Sequence, residues 1–135
     1  MMHAFTHYMR TRAPALKVLI VDDDPDARAM YRMFLKHEGC KVCTARDGHV
    51  AIDQANRYAP DVIVMDLSMP RLDGWTASKW LKAAPATAHI PIIALSAMPM
   101  AREDARAAGC DGFLAKPCLP DMLLWEIRAL LNPPS

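Results

Sequence analysis

The stretch Lys17-Val-Leu-Ile-Val-Asp-Asp-Asp-Pro25 joins two kinds of periodicity. Its first half is a short apolar run rich in β-branched residues, the pattern of a strand buried on both faces. Its second half is a helix start, with Asp24 placed to cap and Pro25 at the first helical position. Ala27, Met30, Tyr31, Phe34 and Leu35 then recur at helical spacing and predict an inward face. Gly39 is the stop.

The same alternation repeats outward from there. Lys41 to Ala45 reads as a second strand, and Asp47-Gly48 turns into a helix with Ala51, Ile52 and Ala55 inward. Pro60-Asp61 breaks that helix. Asp61 to Asp66 is a third strand, Leu67 to Asp73 a loop, and about Gly74 to Ala84 a third helix. Pro91 to Ser96 is a fourth strand, followed by a short helix from about Pro99 to Ala108. Gly112 to Ala115 is the fifth strand. Pro120 opens a last helix with Leu123, Ile127, Leu130 and Leu131 on one face, closed by Pro133-Pro134. Alternating strands and helices predict an α/β fold: one doubly wound, five-stranded parallel sheet with helices on both faces.

Composition agrees. The chain has 135 residues, 53% hydrophobic and 23% charged, which suits one globular domain and excludes general disorder. Its formal charge of +1 argues against direct nucleic-acid binding by charge. No apolar run approaches the roughly 20 residues of a membrane span, and residues 1–14 lack a secretory apolar core. A cytoplasmic location is therefore expected. Cys40 and Cys43 have the spacing of a redox or zinc half-site, but Cys110 and Cys118 supply no second tight pair, so reduced structural thiols are expected. His3 and His7 would pair only if the N-terminal segment were helical.

In such sheets ligands gather beyond the carboxyl ends of the strands. There the sequence places Asp22-Asp23-Asp24, then Asp66, then Ser96-Ala97, then Lys116-Pro117. Clustered carboxylates repel one another, and a hard divalent cation relieves the repulsion. A lysine and a hydroxyl opposite would suit phosphoryl oxygens. The set reads as a Mg²⁺-assisted phosphoryl-transfer site with a carboxylate as acceptor, since no His or Cys is suitably placed. Singly, each residue has a plainer explanation: Asp24 a cap, Asp66 a loop carboxylate, Lys116 a solvated lysine. Their coincidence at successive strand ends favours the site.

Five motifs then show that the chain resembles the receiver domain of two-component response regulators. They are Val-Leu-Ile-Val-Asp-Asp-Asp-Pro at 18–25, Asp-Val-Ile-Val-Met-Asp-Leu-Ser-Met-Pro at 61–70 and Leu-Asp-Gly at 72–74. Ala-Leu-Ser-Ala at 94–97 and Ala-Gly-Cys-Asp-Gly-Phe-Leu-Ala-Lys-Pro at 108–117 complete the set. The resemblance covers residues 16–131, with tails at 1–15 and 132–135, and implies a flavodoxin-like (βα)5 fold. It implies that Asp66 accepts a phosphoryl group from a phosphohistidine. Asp22 and Asp23 would organise Mg²⁺, Asp23 more directly, with Asp66 and the Ser68 backbone carbonyl completing the protein ligands. Ser96 would move to bond the phosphoryl group, Lys116 would pair with it, and Phe113 would be the aromatic switch. A cis bond before Pro117 is implied too.

The implied partners are a sensor histidine kinase or histidine phosphotransfer protein, and a downstream protein target. Neither a membrane nor nucleic acid is implied, and phosphorylation could bring a homodimer. The expected role is that of a phosphoacceptor that assists its own phosphorylation and dephosphorylation, not of a conventional enzyme. With only four residues after Leu131, action by protein contact or by relay is expected, and the leading segment leads to the expectation of a stand-alone protein, the alternative being a receiver cut from a larger hybrid kinase or multidomain regulator. The segment from Ser96 to Lys116 is shorter than the family norm, which predicts a short or irregular fourth helix. Trp80 is expected to pack along a helix edge, and Trp125 is the better interface candidate. A haloacid-dehalogenase-type phosphohydrolase would need an acid at Ser68, and a flavin carrier would need an uncharged phosphate loop in place of Asp22-Asp23-Asp24.

Overall fold

The computed structural model describes residues 14–69, 72–98 and 101–132. Five strands alternate with five helices: β1 Lys17–Val21, α1 Pro25–His37, β2 Lys41–Ala45, α2 Gly48–Tyr58, β3 Val62–Asp66, α3 Gly74–Ala83, β4 Ile92–Ser96, α4 Ala101–Ala107, β5 Gly112–Ala115 and α5 Pro120–Leu131. All strand pairings are parallel, in the order β2-β1-β3-β4-β5. The chain leaves β1 toward β2 on one side and resumes at β3 on the other. This reversal opens a crevice at the carboxyl ends of β1 and β3.

The central strands β1, β3 and β4 are buried on both faces because each face has its own helical layer, while the edge strands β2 and β5 are mostly half-buried. Leu19, Val21, Ile63, Met65, Ile92 and Ala94 pack against α2, α3 and α4. Those helices present mainly alanine: Ala51, Ala55, Ala77, Ala101 and Ala105. Val18, Ile20, Val62, Val64, Ile93 and Leu95 pack against Tyr31 and Leu35 of α1 and Leu123, Leu124 and Ile127 of α5.

Local chemistry sets the helix boundaries. Asp24, Asp47 and Asp73 each accept a backbone N–H in the first turn of α1, α2 and α3. Helix α2 ends before Pro60, with Ala59 in the left-handed region at φ 47°. Gly39 and Gly109 take φ of 95° and 94° after α1 and α4.

Two expectations change, those for Met30 and Trp80. Met30 is 44% exposed, because its neighbour Tyr31 takes the inward position on α1. Trp80 is 63% exposed, since Ala77, Ser78 and Leu81 form the buried face of α3. Trp125 is 71% exposed on α5. Helix α4 is short, at seven residues; Pro99 and Met100 lie outside the described residues. Cys40 packs into one core layer and Cys43 into the other, so the two thiols sit on opposite faces of the sheet. All four cysteines are free, and burial pushes each thiol up from its ordinary value. Residues 1–13 and 133–135, with His3, His7 and nearly all of both expected tails, lie outside the described residues, as do Pro70 and Arg71. No described helix is long and apolar enough to cross a membrane.

Candidate functional site

Strand register assembles the site. Val21 pairs with Met65, so Asp22 emerges beside Asp66. Asp66 pairs with Leu95, and Ser96 follows. Ser96 pairs with Ala115, and Lys116 follows. Residues scattered over 95 positions of sequence thus meet at one edge, each at or just beyond the carboxyl end of a strand.

The carboxylates of Asp22, Asp23 and Asp66 each offer an oxygen within 4.8 Å of the others. Asp22 and Asp66 are buried, whereas Asp23 faces solvent. Asp66 Oδ1 accepts the Ser68 N–H at 3.0 Å and lies 3.1 Å from Lys116 Nζ. Lys116 Nζ is also 4.0 Å from Asp22 Oδ2. Asp22 Oδ1 accepts the Asp24 N–H at 2.9 Å. Burial raises the Asp22 carboxyl above its ordinary value; the Asp24 amide lowers it, and the charges of Asp66 and Asp23 raise it further. Three carboxylates here face one ammonium.

A groove of about 540 Å³ opens over this cluster, bounded by Asp22, Asp23, Asp66, Ser68, Lys116 and Met30 among others. All the oxygens of the cluster are hard donors, which suits a divalent cation retaining part of its water shell. Ser68 borders the groove as well.

Ser96 is brought to the same edge, where its hydroxyl is engaged by Met98. Its hydroxyl is buried, accepts the Met98 N–H at 3.0 Å and donates to the Met98 carbonyl at 3.5 Å. Phe113 is half-buried against the α2–α4 layer, with the Arg102 guanidinium 5.0 Å from its ring centre. The Lys116-Pro117 peptide is cis.

Three supports were not read from the sequence. Gly74 opens α3 directly over β3: a Cβ there would collide with the Asp66 carbonyl oxygen and come within 2.8 Å of Leu67 Cα. The Leu-Asp-Gly motif was its signal, without the reason. Arg28 Nη1 donates to the Asp22 carbonyl at 2.7 Å, and the Tyr31 hydroxyl donates to the Cys118 carbonyl at 2.7 Å. The Arg28 bond reaches back six residues and the Tyr31 bond spans 87, and neither leaves a motif in the sequence.

Comparison with known proteins agrees with this geometry. Residues 18–128 match the model of the response regulator receiver domain. The polar-differentiation response regulator DivK of Brucella anthropi is 32% identical over 117 residues, covering 85% of this chain and 95% of DivK. The gliding motility regulatory protein of Myxococcus xanthus is 40% identical over 111 residues, 78% of this chain but only 14% of that longer protein. Among solved structures, the chemotaxis response regulator CheY4 of Vibrio cholerae is similar at TM-score 0.82 and 32% identity, covering 87% of this chain and all of CheY4. The receiver domain of a sensor histidine kinase from Pseudomonas aeruginosa, with magnesium coordinated in its active-site cleft, is similar at TM-score 0.80 and 30% identity, covering 88% and 99%. With the strand order, the clustered acids and the family match in agreement, this chain belongs to the response regulator receiver domains of two-component signalling.

Proposed function

We propose that the chain is a Mg²⁺-dependent phosphoacceptor whose acceptor is Asp66. The observation that carries this reading is the Asp66 carboxylate, held at the end of β3 by the Ser68 amide and by Lys116 Nζ at 3.1 Å, beside Asp22 and Asp23. In the proposed step one Asp66 oxygen attacks phosphorus, the N–P bond of a phosphohistidine breaks, and the imidazole leaves with the electron pair. An unaided carboxylate is repelled by a phosphoryl dianion; Lys116 offsets that repulsion and holds the transferring oxygens. Asp22, Asp23, Asp66 and the Ser68 carbonyl would hold Mg²⁺, which when bound neutralises charge on the transferring group. The bound magnesium of the Pseudomonas relative supports this choice of ion.

Phosphorylation adds about two negative charges at Asp66. Ser96 would then exchange its bond to Met98 for one to the phosphoryl group, and Phe113 would follow inward, altering a protein-binding surface around α4, β5 and α5. The unit acts as a signal carrier in the cytoplasm rather than as a turnover catalyst. Its phosphodonor is a histidine kinase or a histidine phosphotransfer protein, and its output is a protein target or onward relay. The histidine-kinase receiver among the similar structures, and the long Myxococcus relative, favour a second arrangement in which such a unit serves inside a larger protein.

The test is intact mass spectrometry after incubation with Mg²⁺ and acetyl phosphate, beside Asp66→Asn. Gain of one phosphoryl group in the native chain only is expected. Equal gain in both proteins would remove Asp66 as acceptor.

A further inference from the structure

We infer that Tyr31 is a positioning residue for phosphoryl transfer, acting through Lys116 by pinning the loop that follows β5 to helix α1. The inference rests on Asp66 being the acceptor.

Tyr31 lies in the buried layer between α1 and the sheet, only 4% exposed. Its ring packs with Leu35, Val18, Ile20 and Leu123, yet its hydroxyl is not wasted on that apolar setting. It donates to the Cys118 carbonyl at 2.7 Å, across 87 residues of sequence. Burial pushes the phenol up to about 12, so it keeps its proton throughout the physiological range. A buried carbonyl deprived of its donor is costly, so the bond holds both partners in place.

The location gives the bond its consequence. Cys118 is two residues beyond Lys116, whose Nζ must stay near Asp66 Oδ1 while its own side chain is 31% exposed. Among the described residues the Lys116 ammonium is held by the carboxylates of Asp66 and Asp22, which would have to release it toward an incoming phosphoryl group. Its backbone is held by the Lys116 N–H to the Ser96 carbonyl at 2.8 Å on one side and by the Tyr31–Cys118 bond on the other. The same helix fixes the opposite lip of the groove, through Arg28 Nη1 to the Asp22 carbonyl. Helix α1 therefore sets the distance between the acid pair and the lysine, and Tyr31 supplies the lysine side of that gauge. A displacement of about 1 Å in a reacting group is enough to slow transfer markedly.

The test is a double-mutant cycle of Tyr31→Phe and Lys116→Ala, read as the rate of acetyl phosphate labelling at saturating Mg²⁺ and donor. Phenylalanine retains the ring, and thermal melts establish that each variant is folded at the assay temperature. Tyr31→Phe is expected to slow labelling about fivefold, with the calorimetric Mg²⁺ affinity unchanged. In the Lys116→Ala background it is expected to add nothing. Where labelling of Lys116→Ala is too slow to follow, binding of beryllofluoride in the presence of Mg²⁺, read by fluorine NMR, gives the same cycle. Unaltered labelling by Tyr31→Phe, or an equal loss in both backgrounds, overturns the inference while leaving Asp66 as acceptor. A native chain that takes no label at Asp66 overturns both.

Discussion

The two ends of the sheet each carry a lysine–aspartate pair, and the two pairs are built on opposite principles. At the amino ends of β4 and β5, Lys82 Nζ meets Asp111 Oδ2 at 2.9 Å and donates also to the carbonyls of Ile90 at 2.8 Å and Ala88 at 3.3 Å. Asp111 Oδ2 takes the Ile92 N–H as well. The ammonium has three donors and uses all three, in balance with its carboxylate. At the carboxyl ends, Lys116 is shared between Asp66 and Asp22, with Asp23 alongside. One end closes a joint; the other holds charge that its own residues leave unbalanced. The chemistry of a lysine–aspartate contact is therefore read from what surrounds the pair, since the two contact distances are nearly equal.

The contrast can be broken most directly at the unbalanced end. Gly74→Ala puts a methyl group into the Asp66 carbonyl, and overpacking of this kind costs about 3 kcal/mol. Urea unfolding should register that loss, and acetyl phosphate labelling should fall with it; a variant of native stability would show that α3 can shift off β3 freely. At the balanced end, Lys82→Ala strands two backbone carbonyls and Asp111. A loss of about 2 kcal/mol is expected, discounted for the partly exposed carboxylate, with labelling at Asp66 unchanged once the variant is folded. Loss of labelling there would mean that the two ends are coupled.

Asp22→Asn should change stability in the other direction. Burial raises the Asp22 carboxyl, so the folded chain holds that proton more tightly than the unfolded chain does. The stability this group contributes is present below the ordinary value of 3.8 and lost as pH rises through the higher folded-state value. At neutral pH without Mg²⁺, Asp22→Asn is expected to stabilise by about 1 kcal/mol, an advantage that shrinks in acid. Mg²⁺ should raise the melting temperature of the native chain more than that of the variant. A variant less stable than the native chain at neutral pH would mean that the acid cluster is already balanced. The smallest effect tests a boundary distant from both pairs: Ala59→Gly should gain about 0.5 kcal/mol by relieving a left-handed alanine, visible as a small shift in urea midpoint.

Most of the framework was legible from local signals. Strands such as Val18–Val21 and Val62–Met65 are apolar throughout because both faces are covered, and Asp24, Asp47 and Asp73 announce their helices by capping them. The site acids and Lys116 could be placed because a parallel sheet delivers strand ends to one edge. What escaped depended on how the elements pack on one another. Met30 was assigned inward by spacing alone, while Tyr31 holds the inward position through a carbonyl 87 residues away. The Ala77–Leu81 core face was readable from spacing, and the choice between an edge-packed and an exposed Trp80 was settled only by how α3 lies on the sheet. Gly74 carried a motif, but its steric reason is visible only when α3 lies on the Asp66 carbonyl.

The unequal upholstery of the two core layers governs how this sequence can drift. Alanines at 51, 55, 77, 101 and 105 bring α2, α3 and α4 to the sheet. An alanine has no torsion with which to yield, so any larger residue there must push a helix outward. Beneath α1 and α5, Leu35, Leu123, Leu124 and Ile127 can exchange volume through rotamers. Compensated substitutions are thus open to one layer and largely closed to the other. Enlarging a side chain is therefore expected to disturb the α2–α4 layer, which seats the helix over Asp66, more than the α1–α5 layer.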